Sequence, residues 1–295
     1  VCLPGIMEPL ERAGIHSGDS IAVYPPQRVT AEKQAAITEL TVAIARSLRI
    51  KGLLNIQYVI YQDEVYVLEV NPRSSRTVPF MSKVTGLPIV DLATRVMLGE
   101  SLSALGIEHG LKPAGDKVAV KVPVFSFSKL QKVEPSLGPE MKSTGEVMGI
   151  DYQYEKALYK ALLAAGMRMS VHGTLLATLA DRDKAEGVEL VRRFHNLGFR
   201  LVATAGTAEA LRRVGLEVTT VAKLHTGSTA IRDQIRQGQV QCVLNTTTHG
   251  GKTATDGFAI RRAAVEQGIP CFTSLDTAAA WLQVMEETVP SLIVL

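Results

Sequence analysis

The stretch that decides the fold of the first half reads LLNIQYVIY (residues 53–61), then QDE, then VYVLEVNPR (residues 65–73). Both runs alternate with a period of two, which predicts a β-hairpin that sends one set of side chains to each face. If the turn is centred on Asp63, Gln57 lies opposite Glu69 and Asn55 lies opposite Asn71. One face is then expected to be apolar core, made of Leu54, Ile56, Tyr58, Ile60, Tyr66, Leu68 and Val70.

The other face of this hairpin is polar. It gathers, among valines, the side chains of Asn55, Gln57, Glu69 and Asn71. Desolvating such groups without partners costs roughly a few kcal/mol each. A hard divalent cation, Mg²⁺ or Mn²⁺, would explain them, because it takes carboxylate and amide oxygens and leaves positions open for phosphates. Pro72 ends the strand ladder, and the guanidinium groups of Arg73 and Arg76 follow, which suit phosphate oxygens. Alternatively, the polar face is the solvated side of an ordinary hairpin.

Length and composition narrow the class of protein. The 295 residues are enough for two domains of ordinary size, and 46% hydrophobic with 21% charged residues is typical of a globular protein. A net charge of +3 argues against nucleic acid or a membrane surface as partner, and no apolar stretch approaches the ~20 residues of a membrane span. Cys2, Cys242 and Cys271 show no metal-ligand or redox spacing, which indicates reduced thiols and a cytoplasmic location. Because Val1–Gly5 contain neither an initiator Met nor a signal peptide, we expect a fragment.

The second half alternates short apolar runs with amphipathic helices, which predicts a parallel sheet covered by helices. The expected strands are Thr174–Leu179, Leu201–Thr204, Glu217–Val221, Val240–Asn245 and Pro270–Thr273. The expected helices cover about 183–197, 207–214, 228–237, 256–267 and 276–287. Before them we expect a helix from a Thr30 cap to about Arg49, a helix Pro88–Leu98, a strand Val118–Phe127 and a helix Tyr154–Ala165. We therefore divide this α/β chain into residues 1–165 and 166–295.

Small polar residues follow three of the expected parallel strands. They are Thr204-Ala205-Gly206-Thr207, then Lys223, then Asn245-Thr246-Thr247-Thr248 before the loop His249–Lys252. Ligands bind beyond the carboxyl ends of such strands, and Thr207 could cap a helix whose N–H groups attract an anion. Together these groups suit a phosphate, although each alone is an ordinary turn or cap residue.

Three stretches together resemble the large subunit of carbamoyl phosphate synthetase, at its second ATP-grasp unit. They are ERAGIHSGDS (11–20), QYV (57–59) with LEVNPRSSRTVPF (68–80), and LGPEMKSTGEVMG (137–149). The EVNPR-type string alone is shared with other ATP-grasp ligases, but the resemblance covers nearly the whole chain. It implies a partial ATP-grasp fold, an antiparallel sheet with helices. A parallel-sheet, Rossmann-like and methylglyoxal-synthase-like allosteric domain is implied to follow.

The resemblance implies an ATP-dependent ligase that transfers a phosphoryl group from ATP to carbamate. Gln57, Glu69 and Asn71 would bind two Mg²⁺ or Mn²⁺ ions, with Glu69 shared by both. Arg73 and Arg76 would contact the phosphorylated substrate as catalytic residues. The ATP site would comprise Gly14, Ile15, His16, Ser17, Gln57 and Glu69. Because the family unit begins well before this chain does, we expect the isolated chain to be inactive.

For the second half the resemblance implies a pocket for a UMP-type nucleotide effector, formed by Lys184, Thr204, Thr207, Lys223, Asn245 and Thr247. Ornithine-responsive members of the family use further groups near the domain junction, and Glu11, Asp19 and Thr273 fit that pattern. Val122 and Cys271 stand where an acid and a tyrosine are expected, so we do not expect ornithine activation.

The second half also resembles in fold the enzyme methylglyoxal synthase, which places a catalytic aspartate in a Gly-Gly-Asp loop. The corresponding stretch, His225–Ala230, carries no carboxylate to act as a base, which excludes that activity. The resemblance further implies a glutamine-hydrolysing small subunit, the missing amino-terminal part of the large subunit, an oligomeric full enzyme and a role in pyrimidine or arginine biosynthesis. The alternative is a stand-alone nucleotide-sensing module without catalysis.

Overall fold

The computed structural model describes residues 1–127, 129–130, 133–222, 230–247 and 256–292. The chain divides into two compact units. The first unit comprises Val1–Pro9, Ala22–Lys121 and Ile150–Tyr154, and the second comprises Leu10–Ile21, Val122–Gly149 and Glu155–Leu295. Within the part of the chain that is described, no helix is long and apolar enough to cross a membrane.

Short strands and three helices build the first unit. In chain order they are β1 (Cys2–Leu3), β2 (Glu8–Pro9), β3 (Ala22–Tyr24), α1 (Ala31–Ser47), β4 (Asn55–Tyr61), β5 (Glu64–Asn71), α2 (Thr77–Thr85), α3 (Ile89–Met97), β6 (Gly110–Leu111) and the start of β7 (Val118–Val124). Strand β1 pairs parallel with β6, and β3 pairs antiparallel with β2 and β7. The hairpin of β4 and β5 is an antiparallel sheet of its own.

Of the helices of the first unit, α1 was predicted from the sequence and α2 was not. The prediction that Thr30 caps α1 is confirmed, because its side chain accepts the Lys33 N–H at 3.3 Å. Helix α2 was not predicted, and it carries Pro79 in its first turn, where a missing N–H costs nothing. Its Phe80 and Met81 are buried, so packing rather than local propensity supports it.

The predicted register of the hairpin is confirmed at the polar positions, since Asn55 pairs with Asn71 and Gln57 pairs with Glu69. The predicted turn is wrong in detail. Tyr61 pairs with Glu64, so the turn is the two-residue Gln62-Asp63, with positive φ angles of 48° and 63°. A β-bulge beside Gln57 inserts one extra residue into β5, and this restores the expected pairing beyond it.

The expectation that the other hairpin face is core is wrong: none of its seven predicted residues is buried, and Leu54, Ile56, Tyr58 and Val70 are half-buried. Ile60, Tyr66 and Leu68 are 43%, 51% and 57% exposed. The bulge moves Tyr66 opposite Val59, away from the face of Ile60, and the hairpin has no third strand among the described residues. Helix α1 supports it instead, through a 2.8 Å hydrogen bond between Thr41 Oγ1 and the Tyr58 hydroxyl.

The second unit is an α/β domain with additional segments. After β8 (Gly145–Asp151) and α4 (Tyr154–Ala164) come β9 (Gly173–Thr178), α5 (Lys184–Asn196), β10 (Phe199–Thr204), α6 (Ala205–Arg213), β11 (Thr219–Val221), α7 (Ala230–Arg236), β12 (Cys242–Asn245), α8 (Asp256–Glu266), β13 (Cys271–Phe272) and α9 (Leu275–Leu292). The boundary between the units falls within β7, β8 and the first turn of α4. The predicted parallel sheet is confirmed, with strand order β11-β10-β9-β12-β13.

Each face of this sheet buries its own core. On one face, Trp281 stacks on Phe194 with ring centroids 5.4 Å apart, and Phe199 and Phe272 complete an aromatic cluster. On the other face, Leu176 and its strand neighbours pack against α7 and α8. Because the strand order reverses between β9 and β12, the carboxyl ends of those two strands form the crevice where such sheets bind ligands.

Candidate functional site

The hairpin of the first unit places the three predicted metal ligands on one face. Gln57 and Glu69 are direct cross-strand partners, and Asn71 lies on the same face two residues further along β5. Directly opposed Cβ atoms in such a pair are about 5 Å apart, so these side chains can reach one common point. Gln57 and Asn71 are half-buried and Glu69 is exposed. None of the three side chains is hydrogen-bonded to another described residue, which leaves their oxygens available to a ligand.

This donor set fits a hard divalent cation, because it offers one carboxylate and two amide oxygens. Across the ranges that the structure describes, no group of three or more His, Cys, Asp and Glu side chains is placed to hold a metal ion. A cation on this face would therefore depend on the amide oxygens of Gln57 and Asn71 as well as on Glu69.

The two predicted catalytic arginines follow the polar face closely. The Arg73 N–H donates to the Asn71 carbonyl at 2.9 Å, and its guanidinium is exposed and donates to the Ser74 carbonyl at 2.9 Å. Arg76 is exposed and immediately precedes α2, whose first turn contains no acidic residue. A helix N-terminus carries partial positive charge, so this segment presents two arginines and a helix end to any anion.

The predicted ATP-site residues Gly14–Ser17 fall in the second unit, within the loop Leu10–Ile21. The His16 backbone N–H donates to the Gly138 carbonyl at 2.8 Å, and its Nδ1 accepts the Gly18 N–H at 3.0 Å. Because Nδ1 accepts, the proton of a neutral His16 ring lies on Nε2. Gly14 adopts a φ of 108°, which an L side chain rarely adopts.

Buried carboxylates hold this loop in place. Asp19 is 1% exposed and accepts the backbone N–H groups of Lys142 at 2.8 Å and Ser143 at 2.9 Å. Two of the stretches that carry the family resemblance, 11–20 and 137–149, are therefore joined directly. Glu11 accepts the Ile21 N–H at 2.8 Å and the Thr277 hydroxyl at 2.9 Å, so its carboxylate is also engaged within the chain.

At the carboxyl edge of the parallel sheet, the register aligns three polar side chains on one face. Asn245 pairs with Thr178, and the pairing of β9 with β10 places Thr204 on the other side of Thr178. The two threonine hydroxyls are 3.4 Å apart. Thr178 was not among the predicted residues, and its place at the end of a predicted strand beside the switch point was the signal that could have found it.

The predicted helix-capping role of Thr207 is wrong. Helix α6 begins at Ala205, so Thr207 lies within its first turn, and the N-cap residue is Thr204, whose side chain makes no capping hydrogen bond. The Thr207 hydroxyl, 2% exposed, accepts the Leu179 N–H at 2.9 Å and fixes the end of β9. The first N–H groups of α6 keep no partner among the described residues. The Nζ of Lys184 lies close to this end of α6, 3.4 Å from where a Cβ on Gly206 would be.

Two further threonines bind the loops at this edge together. The Thr246 hydroxyl accepts the Ala180 N–H at 2.8 Å, and the Thr247 carbonyl accepts from Arg182 Nη2 at 2.7 Å. Arg182 was not predicted from the sequence. Of the predicted effector residues, Lys223 lies outside the described residues, as do 248–252 and the stretch 225–229 used to exclude methylglyoxal synthase.

Comparison with known protein families finds one match in each half of the chain. The family model described as carbamoyl-phosphate synthase L chain, ATP binding domain matches residues 5–105, and the model of the MGS-like domain matches residues 186–273. The resemblance to the carbamoyl phosphate synthetase large subunit is confirmed. A partial ATP-grasp fold thus precedes an MGS-like domain, and the first match supports an ATP-dependent ligase.

Solved structures are more distant. A single-chain, multi-domain long-chain acyl-CoA carboxylase is 19% identical with a TM-score of 0.40, over 49% of this chain and 18% of that one. The biotin carboxylase domain of a single-chain bacterial carboxylase is 16% identical with a TM-score of 0.37, over 50% of this chain and 40% of that one. The chain thus spans less than half the length of either structure.

Proposed function

We propose that the first unit supplies part of an active site that phosphorylates carbamate with ATP to give carbamoyl phosphate. The observation that carries this proposal is the register that places Gln57 opposite Glu69 with Asn71 on the same face, inside the segment matched by the ATP-binding family model. Gln57, Glu69 and Asn71 would hold two Mg²⁺ or Mn²⁺ ions, which when bound neutralise phosphate charge.

In this phosphoryl transfer the protein forms no covalent bond with the substrate. An oxygen of carbamate attacks the γ-phosphorus of ATP, a new O–P bond forms, the bond to the β–γ bridging oxygen breaks, and ADP leaves. Such a transfer depends on positioning and on charge neutralisation, so no nucleophilic side chain is needed. Arg73 and Arg76, both exposed beside the N-terminus of α2, would bind the oxygens of the transferred phosphoryl group.

The reverse reaction tests this proposal without interference from other ATP-consuming steps. A large subunit that contains this chain should form ATP from ADP and carbamoyl phosphate, and Glu69→Gln should reduce the rate at least 100-fold, by about 3 kcal/mol. Glu64→Gln is the matched control, because Glu64 is an exposed glutamate at the other end of the same strand. Equal loss in both variants, or none in Glu69→Gln, would refute the assignment. We expect no ATP formation by the isolated chain.

We also propose that the carboxyl edge of the parallel sheet binds a UMP-type nucleotide that regulates the enzyme. The support is the convergence there of Lys184, of the α6 N–H groups that have no partner among the described residues, and of the row Thr204, Thr178 and Asn245. Helix N-termini with a nearby lysine favour phosphate groups. UMP should raise the melting temperature of the chain, and Lys184→Ala should abolish that shift while Lys156→Ala, an exposed site on α4, retains it.

Partners and setting follow from the same assignment and remain part of the proposal. A glutamine-hydrolysing subunit would supply ammonia, the full enzyme would form oligomers in the cytoplasm, and its product would serve pyrimidine or arginine synthesis. Glutamine-dependent activity that requires a second subunit, compared with activity on free ammonia, tests the first of these. UMP binding in a large subunit that forms no ATP from carbamoyl phosphate would favour the alternative of a nucleotide sensor without catalysis.

A further inference from the structure

The side chain of Asn245 carries an unused hydrogen-bond donor at the crevice between β9 and β12. Asn245 is 1% exposed, its Oδ1 accepts from Arg261 Nη1 at 2.5 Å, and its Nδ2 is buried without a partner among the described residues. Leaving a buried donor unsatisfied is unfavourable, and native structures rarely do so without a reason. This donor lies beside Thr178 and Thr204, in the row of side chains proposed above to bind the effector.

Arg261 determines which end of this amide is free. Arg261 has only donors, so the group that faces it must be the carbonyl oxygen Oδ1, and Nδ2 is left for another partner. With the reverse orientation, two donors would face each other at hydrogen-bonding distance. The direction of the Asn245 amide is thus a consequence of Arg261.

Glu134 in turn holds Arg261. Its two carboxylate oxygens accept from Nε and Nη2 of Arg261, each at 2.7 Å, and its Oε1 also accepts the Ser136 N–H at 3.0 Å. The side chains of Arg261 and Glu134 are 3% and 12% exposed. A two-pronged pair of this kind fixes the plane of the guanidinium and thereby the directions of the two Nη1 N–H bonds, one of which donates to Asn245 Oδ1.

The backbone of α8 leaves room for this arrangement only because residue 257 is glycine. A Cβ on Gly257 would come within 2.8 Å of Arg261 Nη1 and 3.4 Å of Asn245 Oδ1. A side chain at this position would therefore displace the very contact that orients the amide.

We propose that Arg261, held by Glu134, is a positioning residue that presents the Asn245 Nδ2 as a donor to an acceptor oxygen of the bound effector. This inference rests on the proposed effector site and adds to it the ligand chemistry at one point, an oxygen acceptor rather than a donor. It also adds two residues, 134 and 261, that touch no ligand themselves. Neither residue belongs to the effector set predicted from the sequence.

Arg262 provides a matched control. It neighbours Arg261 on α8, is 7% exposed, and binds the carbonyls of Phe127 at 2.9 Å and Leu130 at 3.2 Å, but it makes no contact with Asn245. Arg261→Gln and Arg262→Gln therefore both remove a buried arginine from one helix, and only the first releases the amide.

Calorimetric titration of UMP into the full chain is the first measurement. Arg261→Gln and Asn245→Ala should each weaken UMP binding about 10-fold, as expected for loss of one hydrogen bond at a buried site. In the double variant the two effects should not multiply, since Arg261 acts through Asn245. Arg262→Gln should retain UMP affinity within about twofold. Equal weakening by both arginine variants, or multiplicative effects in the double variant, would overturn the proposal.

A second measurement needs no ligand and separates this proposal from the effector assignment. The side-chain NH₂ signals of Asn245 in a ¹⁵N-correlated NMR spectrum, assigned by their absence in Asn245→Ala, should shift in Arg261→Gln and not in Arg262→Gln. Glu134→Gln, a milder change, should shift them in the same direction. Unchanged signals in Arg261→Gln refute the positioning role. Shifted signals in a chain that does not bind UMP would support the positioning role and refute the effector assignment.

Discussion

The hairpin of the first unit and the sheet edge of the second both gather polar side chains, but they hold them in opposite ways. On the hairpin, Gln57 and Glu69 are aimed by strand alternation alone and make no side-chain hydrogen bond to a described residue. At the sheet edge, Thr207, Thr246 and Asn245 are buried, and each is bound to a neighbouring strand, loop or helix. Function should therefore separate from stability on the hairpin, whereas at the sheet edge one substitution should affect both.

The largest expected effect is at the buried pair that supports the sheet edge. Glu134→Ala leaves the Arg261 guanidinium buried without its carboxylate, which should lower the free energy of unfolding of the second unit by about 3 kcal/mol. Urea unfolding followed by Trp281 fluorescence measures this, because Trp281 is the single tryptophan of the chain and lies buried in the aromatic cluster.

A surface pair provides the control for this experiment. Glu209 pairs with Arg213 on α6, and both side chains are mostly exposed, so Glu209→Ala should leave the urea midpoint nearly unchanged. A loss in Glu209→Ala as large as in Glu134→Ala would show that the burial of the pair is not the cause.

The next effect concerns the hydroxyl of Thr207, which accepts the buried Leu179 N–H. Thr207→Val keeps the shape but leaves that N–H unsatisfied, which should cost about 2 kcal/mol in the same urea measurement. Thr207→Ser keeps the hydroxyl and should lose less stability, because only the methyl group is missing. If Ser and Val behave alike, the hydrogen bond contributes nothing and the contrast between the two regions weakens.

A smaller effect is expected in the pH dependence of unfolding. Burial alone would raise the pKa of the Glu134 carboxyl, but its hydrogen bonds to Arg261 and to the Ser136 N–H hold it below the usual value. A carboxyl with a lowered pKa in the folded state stabilises the fold above its unfolded pKa of about 4.3 and loses this contribution as the pH falls through the lower folded value.

The corresponding measurement is the urea midpoint between pH 7 and pH 3, for the wild type and Glu134→Gln. The urea midpoint of the wild type should exceed that of Glu134→Gln by a constant amount down to about pH 5, and this difference should shrink below about pH 4. An advantage that grows on acidification would contradict a lowered pKa.

Local sequence patterns predicted the strands and helices, but they could not reveal contacts between residues that are far apart in the chain. A period of two suffices to pair Gln57 with Glu69, and alternating apolar runs suffice to predict five parallel strands with their helices. The two-residue turn at Gln62-Asp63 shifts the strand pairing by one residue, and the bulge shifts it back. The pairing at the polar positions is therefore the same with or without both features, so the sequence pattern could not reveal them. The pair of Glu134 and Arg261 spans 127 residues and has no local pattern that could reveal it.

The smallest expected effect on stability is at the hairpin, and it is the most direct test of the contrast between the two regions. Glu69→Gln changes an exposed side chain that has no partner in the described part of the chain, so the hydrogen exchange of β4 and β5 amides should stay as in the wild type, which corresponds to a stability change within about 0.5 kcal/mol. The same variant should bind Mn²⁺ at least 10-fold more weakly, measured as free ion by electron paramagnetic resonance, while Glu64→Gln retains the affinity of the wild type. Faster exchange in Glu69→Gln would show that the polar face also stabilises the hairpin, and the separation of function from stability would then fail where the structure most clearly indicates it.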